Sequence, residues 1–376
     1  NQFELRWSVS EDGKVIEEGT MNNFALAPYK AKNIQIPFKR PSVKAGAKYW
    51  LRTSLHTIVD QNWAKAGFEI AKQQFELPFF KEKKVTLQSN KAITVEKTAT
   101  HTTLSNQDFN VSFDNKSGFL SSSRANGLSI IEKALMPNFW RPLIDNDDWI
   151  GLNKKTRVWE TMHEALKLTT FNVDDSVKGV VKINTTFHYQ NKVMLKLNYI
   201  VTGNGEVNVN FDMESAKDMP DLLRVGMTTA INKDFQQMAL YGKGPFENYI
   251  DRNNGAEVDV YEGEIKDFIH HYVMPQENGN HTNVEWLRLN NKAGAGVLVD
   301  GKQLLSVSVW PWTAKNLEES KLTSELIEAD SSTVNIDLIQ TGVGGTTPGG
   351  NGARSIPKYH IKSGRFQYEF TLSPVK

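Results

Sequence analysis

The sequence predicts an all-β protein built as two successive sandwiches. Three observations carry this reading. Apolar and polar residues alternate with a period of two along most of the chain, Gly- and Asn-rich turns separate the alternating runs, and only one stretch carries helical signals. At 376 residues the chain is too long for one ordinary core. Charged residues at 23% and hydrophobic ones at 39% fit a globular protein rather than a disordered one.

The first unit runs over residues 1–82. In FELRWSVS, Phe3, Leu5, Trp7 and Val9 alternate with polar partners. Asp12-Gly13 then supplies a hairpin turn, because glycine tolerates the positive φ that tight turns require. NIQIPF, YWLRTSLHTIV and FEIAKQQFEL extend the set to about seven strands, the pattern of a small immunoglobulin-like β-sandwich. Pro78 and the run Lys81-Glu82-Lys83-Lys84 mark the exit.

Residues 83–376 continue the strand pattern almost unbroken. NVSFDNKSGFLSSSR, VVKINTTFHYQNKVMLKLNYIVTGNGEVNVNFDM and AGAGVLVDGKQLLSVSVWPW are strands joined by Gly- and Asn-rich turns. So long a meander exceeds a simple sandwich, and without a fixed-period repeat it predicts one large β-supersandwich. WTAKNLEESKLTSEL is the helical stretch, with Thr313 as its N-cap.

Composition excludes several functions. Lys plus Arg number 44 against 43 acids, so nothing draws the chain as a whole to nucleic acid or to an anionic membrane. No apolar run approaches the roughly 20 residues that span a bilayer. The absence of cysteine excludes disulfides and thiolate chemistry, and leaves compartment unread from redox logic. NQFELRWSVS enters strand alternation directly, without initiator Met or signal peptide, and so reads as part of something larger.

The residues that might carry chemistry are mostly ordinary. No pair of the eight histidines has H-x-x-x-H spacing, and His270-His271 fall on opposite faces of a strand. Asp145-Asn146-Asp147-Asp148 lacks the glycine and distal Glu of a calcium loop, since Gly151 comes one place late and Thr156 stands at the twelfth. Turn formation is the better reading, and no metal site is assigned. Trp140 and Trp310-Pro311-Trp312 lie beside loops where aromatics can stack on sugars, although most such side chains are core. In YGKGPFENYIDR, Gly242 and Gly244 suit a tight turn and Pro245 fixes the next φ. Arg252 is expected to pair with a nearby carboxylate and Tyr249 to be buried, making a rigid corner.

GPFENYIDR followed by MPQENGNHTNVEW resembles the paired G-P-x-E-N-Y-x-D-R and P-x-E-N-G signatures of the C-terminal domain of family two glycoside hydrolase β-galactosidases. FDNKSGFLSS, FWRPLIDNDDWIG, LLRVGM, QTGVGG and GRFQYEF follow in that family's order. WSVSEDGKVIEEG and WAKAGFEIAKQQFEL resemble the small sandwich that precedes it. The likeness covers essentially the whole chain.

The resemblance implies a galactose mutarotase-like fold for the supersandwich. It also implies a complete enzyme that removes terminal β-galactosyl groups with retention, using two glutamates of an upstream barrel. No catalytic residue is therefore expected in this chain, Glu247 and Glu277 included. Its implied contribution is a pocket wall: a mobile loop at Arg224-Val225-Gly226, and the glycine-rich run at Gly344, Gly345 and Asn351. The family's tryptophan after that run is missing, the sequence there reading TTPGGNGAR. The loop 348–352 is expected to close over ligand. The implied partners are a β-galactoside and the catalytic barrel, with homo-oligomerisation left open. Magnesium and sodium belong to the complete enzyme, not to this chain, and the implied setting is the bacterial periplasm or cytoplasm. Alternatives of other classes are a free-standing carbohydrate-binding module, an oligomerisation module and, by fold alone, an aldose epimerase with a His and Glu pair in one cleft.

Overall fold

The computed structural model describes residues 3–22, 26–83, 88–347 and 350–376. Lys84 of the expected exit run, and Pro348 and Gly349 of the expected closing loop, lie outside the described residues. The chain divides into two compact units, Asn1–Thr86 and Leu87–Lys376.

In the first unit, strands Lys14–Met21, Phe3–Glu11, Tyr49–Thr57 and Glu69–Glu76 form one antiparallel sheet in that order. Asp12 at φ 48° and Gly13 at φ 82° make the hairpin turn, both in the left-handed region that a type I′ turn demands. The period-two pattern places Leu5, Trp7 and Val9 on the inner face with Leu51. Ile36 and Phe38 cover that face from an extended segment without ladder pairing. The NIQIPF strand is thus corrected: Pro37 and Pro41 lack the N–H that a ladder needs, so the segment packs without pairing. Among the described residues the unit has four ladder strands, not about seven.

The second unit is a sixteen-stranded antiparallel sheet among the described residues. The meander Lys167–Val177, Val180–Tyr189, Val193–Thr202 and Val207–Ser215 follows the expected alternation and continues into Arg365–Val375. Beyond lie Gly296–Trp310, Ser331–Gln340 and Arg224–Asn232, then the strands from Leu128–Asn138 back to Thr94–Lys97. A branch, Glu257–Glu264 to Gln237–Gly244 to His281–Asn290, joins at Gly296–Trp310.

Ring contacts show that this sheet folds back on itself. Phe113 meets Tyr199 and Phe119 stacks on Phe187, each at 5.0 Å between centroids, although their strands lie far apart in the sheet order. A supersandwich core fills the space between the layers, including Trp159, Phe187 and Phe211. Burial of such aromatics is the dominant apolar contribution to holding the layers together.

Two expectations shift. The helical stretch shortens to Ala314–Glu319, with the Thr313 side chain accepting from the Asn316 amide at its N-cap. Three further short helices, Asp145–Trp149, Leu152–Thr156 and Met162–Ala165, occupy a region read as turn, because four or five residues are too few to display a 3.6 period. Gly242 and Gly244 sit not in a turn but in strand Gln237–Gly244. A Cβ on Gly242 would lie 2.8 Å from Val284 Cα, and one on Gly244 would lie 2.6 Å from the Tyr261 ring. Close approach of neighbouring chain explains these glycines.

Gly242→Ala is therefore expected to lower stability by about 1–3 kcal/mol, since backbone must move. Gly364→Ala, where an added Cβ meets nothing within 4 Å, is expected to change it by less than about 0.5 kcal/mol. Thermal melts of the two variants check the contrast.

Candidate functional site

The two signature segments clasp each other. Asn248 is fully buried, and its backbone N–H donates to Asn280 O at 2.7 Å while Asn280 Nδ2 donates to Asn248 O at 2.8 Å. Asn248 Oδ1 accepts from both the amide and the hydroxyl of Thr282, and its Nδ2 donates to Lys243 O and Phe246 O. Asn280 Oδ1 accepts from Ser306. Every polar atom of the Asn248 amide has a partner, which is what a buried side chain of this kind requires.

The carboxylates of this corner are equally committed. Glu247 accepts from the Gly279 amide at 2.7 Å, from Tyr272 and from Arg252, which forms the expected ion pair. Burial, followed by the Glu247 charge, pushes the Tyr272 hydroxyl up to about 12. Asp251 reaches into the glycine-rich run, accepting from the Val343 amide at 3.1 Å and the Gly344 amide at 2.7 Å. Tyr249 is buried, as expected, beneath the Arg252 guanidinium, 5.1 Å from its ring centroid.

Below lies a fully buried charge cluster. Arg224 Nη2 donates to both oxygens of Glu277 at 3.1 Å, and its Nε stands 3.0 Å from Asp337 Oδ2. That last pair is out of line for a hydrogen bond, leaving both Asp337 oxygens without one. Gln340 links this cluster to a second guanidinium, donating to Glu277 at 3.1 Å and accepting from Arg141 at 3.1 Å. Arg141 also forms a two-bond fork to Asp147, both at 3.0 Å, and donates to Thr341 O. It thereby ties the helix Asp145–Trp149 to the start of the glycine-rich run.

Above the cluster opens a cavity of about 230 Å³. Its walls come from four places: Ile144 to Asn146 at the helix, Tyr249 and Arg252 at the corner, Tyr272, Gln276 and Glu277 from the second signature, and Val343 and Gly344 from the glycine-rich run. Asn146 Nδ2 donates to Val343 O at 3.1 Å across one rim.

Arg224, Val225 and Gly226 do not form a loop. They open strand Arg224–Asn232 and are buried. A Cβ on Gly226 would lie 1.9 Å from Asp337 Oδ1, so this glycine makes room for the carboxyl that faces Arg224. Gly344 lines the cavity. Gly345 is the exposed neighbour, where a Cβ would lie 2.4 Å from Gly352 O, and Asn351 lies within the short 3-10 helix Gly350–Ala353. Trp140, Trp310 and Trp312 are buried, with Trp310 Nε1 donating to Asn278 O at 2.8 Å, so the core role prevails. The sequence reading missed Asp145, Asn146 and Gln276 as cavity residues; the motifs FWRPLIDNDDWIG and MPQENG contained them, but nothing local marks which side chain faces inward. No histidine lines the cavity, so the acid/base pair of an epimerase is not assembled here.

Burial is the largest influence on both acids of the cluster. It raises Glu277 despite the pull of Arg224 and Arg141, and it pushes Asp337 up to about 8, against Arg224 and with Glu277. At neutral pH the single Arg224 charge thus faces one carboxylate and one carboxylic acid. Tyr368, also buried, is the other titratable group beside Asp337. The unfolded chain loses the Asp337 proton near the ordinary carboxylate value, whereas the folded chain keeps it until about pH 8. The folded state therefore binds more protons across that window. Its stability is full below the unfolded value and falls as pH rises towards about 8, by up to about 1.4 kcal/mol per pH unit. Asp337→Asn, which mimics the neutral acid, is expected to flatten this fall in melts between pH 5 and 9; a slope equal to that of the unmodified chain would contradict it.

Comparison with known proteins agrees with the sequence motifs. A family model described as beta galactosidase small chain matches residues 105–372, and one described as beta-galactosidase, domain 4, matches residues 1–78. The beta-galactosidases of Priestia megaterium and Alteromonas mediterranea are similar to the chain, at 27% identity over 378 residues and 29% over 372. These alignments cover 100% and 91% of this chain but 36% and 34% of those proteins, so the chain spans about a third of the length of the curated relatives it matches. A solved structure of galactose 1-epimerase from Lactobacillus acidophilus NCFM aligns over 73% of this chain and 93% of its own, at 11% identity and a TM-score of 0.42. Since the first family model takes in well over half of the residues, the chain belongs to the beta-galactosidase small chain family.

Proposed function

We propose that this chain is the C-terminal, non-catalytic portion of a retaining β-galactosidase, and that its cavity forms part of the substrate-pocket wall in the complete protein. The observation that carries the proposal is the state of the cavity's carboxylates. Retaining glycoside hydrolysis needs two carboxyl groups about 5 Å apart, both free to meet the glycosidic bond. Only Asp145 and Glu277 line the cavity as acids. Both Glu277 oxygens are taken by Arg224, one of them by Gln340 as well, which leaves the exposed Asp145 without a free counterpart.

In this reading the two catalytic glutamates come from the barrel that the relatives' additional length would supply, and the sugar is a terminal β-galactoside. The chain contributes shape: a rigid floor from Glu277 and Tyr249, and rims from Asp145, Asn146, Val343 and Gly344. Among the described residues no group of three or more His, Asp or Glu side chains converges as a metal site. The magnesium and sodium implied for the complete enzyme would accordingly be held by its other domains, and no step is derived through them here.

Purified chain, shown to be folded by circular dichroism, is expected to give no turnover of a chromogenic β-galactoside above buffer. Turnover that Glu277→Gln abolishes would contradict the proposal.

A further inference from the structure

We propose that Trp149 is the stacking platform, and the Tyr249 hydroxyl the polar contact, for a single pyranose ring held in this cavity. This rests on the pocket-wall reading and adds to it the side chains that recognise the ring.

Trp149 is 71% exposed, whereas Trp140, Trp159, Trp310 and Trp312 are all buried. An indole left in water is an unusual use of the largest apolar side chain unless something covers it. Its position is specific. Trp149 ends the helix whose Asp145 and Asn146 line the cavity, and stands four residues after the first and three after the second. Residues at those spacings share one face of a helix. The opposite side of the helix is anchored through Asp147 to the buried Arg141, so the face that carries Trp149 is held in place. The apolar C–H face of a pyranose is the surface that such a ring accepts.

Tyr249 supplies the second, independent observation. It lines the cavity, and its hydroxyl is buried without a hydrogen-bond partner. Its neighbours are satisfied: Tyr272 and Arg252 bond to Glu247, and Glu277 bonds to Arg224 and Gln340. Among the described residues that line the cavity, the Tyr249 hydroxyl is the one buried side-chain group left unpaired. A hydroxyl buried without a partner costs stability that phenylalanine would not, so its retention calls for a partner from outside. The charges of Arg252 and Glu277 are neutralised by their own partners, which disfavours an ionic ligand. A cavity of about 230 Å³ lies below the range of drug-sized sites and suits one neutral, hydroxyl-rich ring.

The test is a ligand-observed NMR titration of the 376-residue chain with lactose and with methyl β-D-galactopyranoside. Saturable millimolar binding is expected. Trp149→Ala is expected to weaken it by about fivefold to tenfold. Tyr249→Phe is expected to weaken it comparably while its melting temperature equals or exceeds that of the unmodified chain, which a hydroxyl with a purely structural role would not permit. No saturable binding by the unmodified chain, unchanged binding by both variants, or a clear fall in the melting temperature of Tyr249→Phe would overturn the proposal. Galactoside turnover by the chain would instead overturn the pocket-wall reading and leave this one standing.

Discussion

The second unit is organised around a guanidinium, that of Arg224, buried between Glu277 and Asp337 with no access to water. A buried ion cluster of this kind contributes little net stability against an apolar alternative, because desolvation opposes the attraction. Its effect is on specificity of arrangement: removing one member strands the others. Glu277 must point down to Arg224, which sets the floor of the cavity above. Gln340 must bridge to Arg141, and Arg141 must hold Asp147. One cluster therefore fixes the positions of a strand, a helix and a glycine-rich run.

From that base the cavity assembles out of segments distant in sequence. The Arg224–Glu277 pair spans 53 residues and the Arg141–Gln340 pair 199. Asp251 holds the backbone amides of Val343 and Gly344 from the other side. Such side-chain grips on backbone let loops form walls without regular ladder pairing. Glycine enters where two pieces of chain approach too closely for a Cβ, at Gly226 beside Asp337 and at Gly242 beside Val284.

Much of this was legible in the sequence where the signal is local. Alternation located the Phe3 and Val180 strands, Asp12-Gly13 located the hairpin, and Thr313 capped its helix. The pairing of Arg252 and the burial of Tyr249 were readable because their partners lie within a few residues. The R-x-G motif was not readable as a buried cluster, since Glu277 and Asp337 are brought to Arg224 only by strand order. NIQIPF alternates like a strand, yet its prolines remove it from the ladder. The helix Asp145–Trp149 is one turn long and left no periodicity to find, so the cavity rim it carries appeared only in three dimensions.

The central claim is that the buried cluster holds the cavity walls in register. Native-state amide hydrogen exchange on Glu277→Gln, alongside its thermal melt, tests this most directly. The account predicts a loss of about 3–5 kcal/mol, because Arg224 is left with an unneutralised buried charge, together with faster exchange at Asp147 and Gly344. A variant with the melting temperature and the Asp147 and Gly344 protection of the unmodified chain would contradict it.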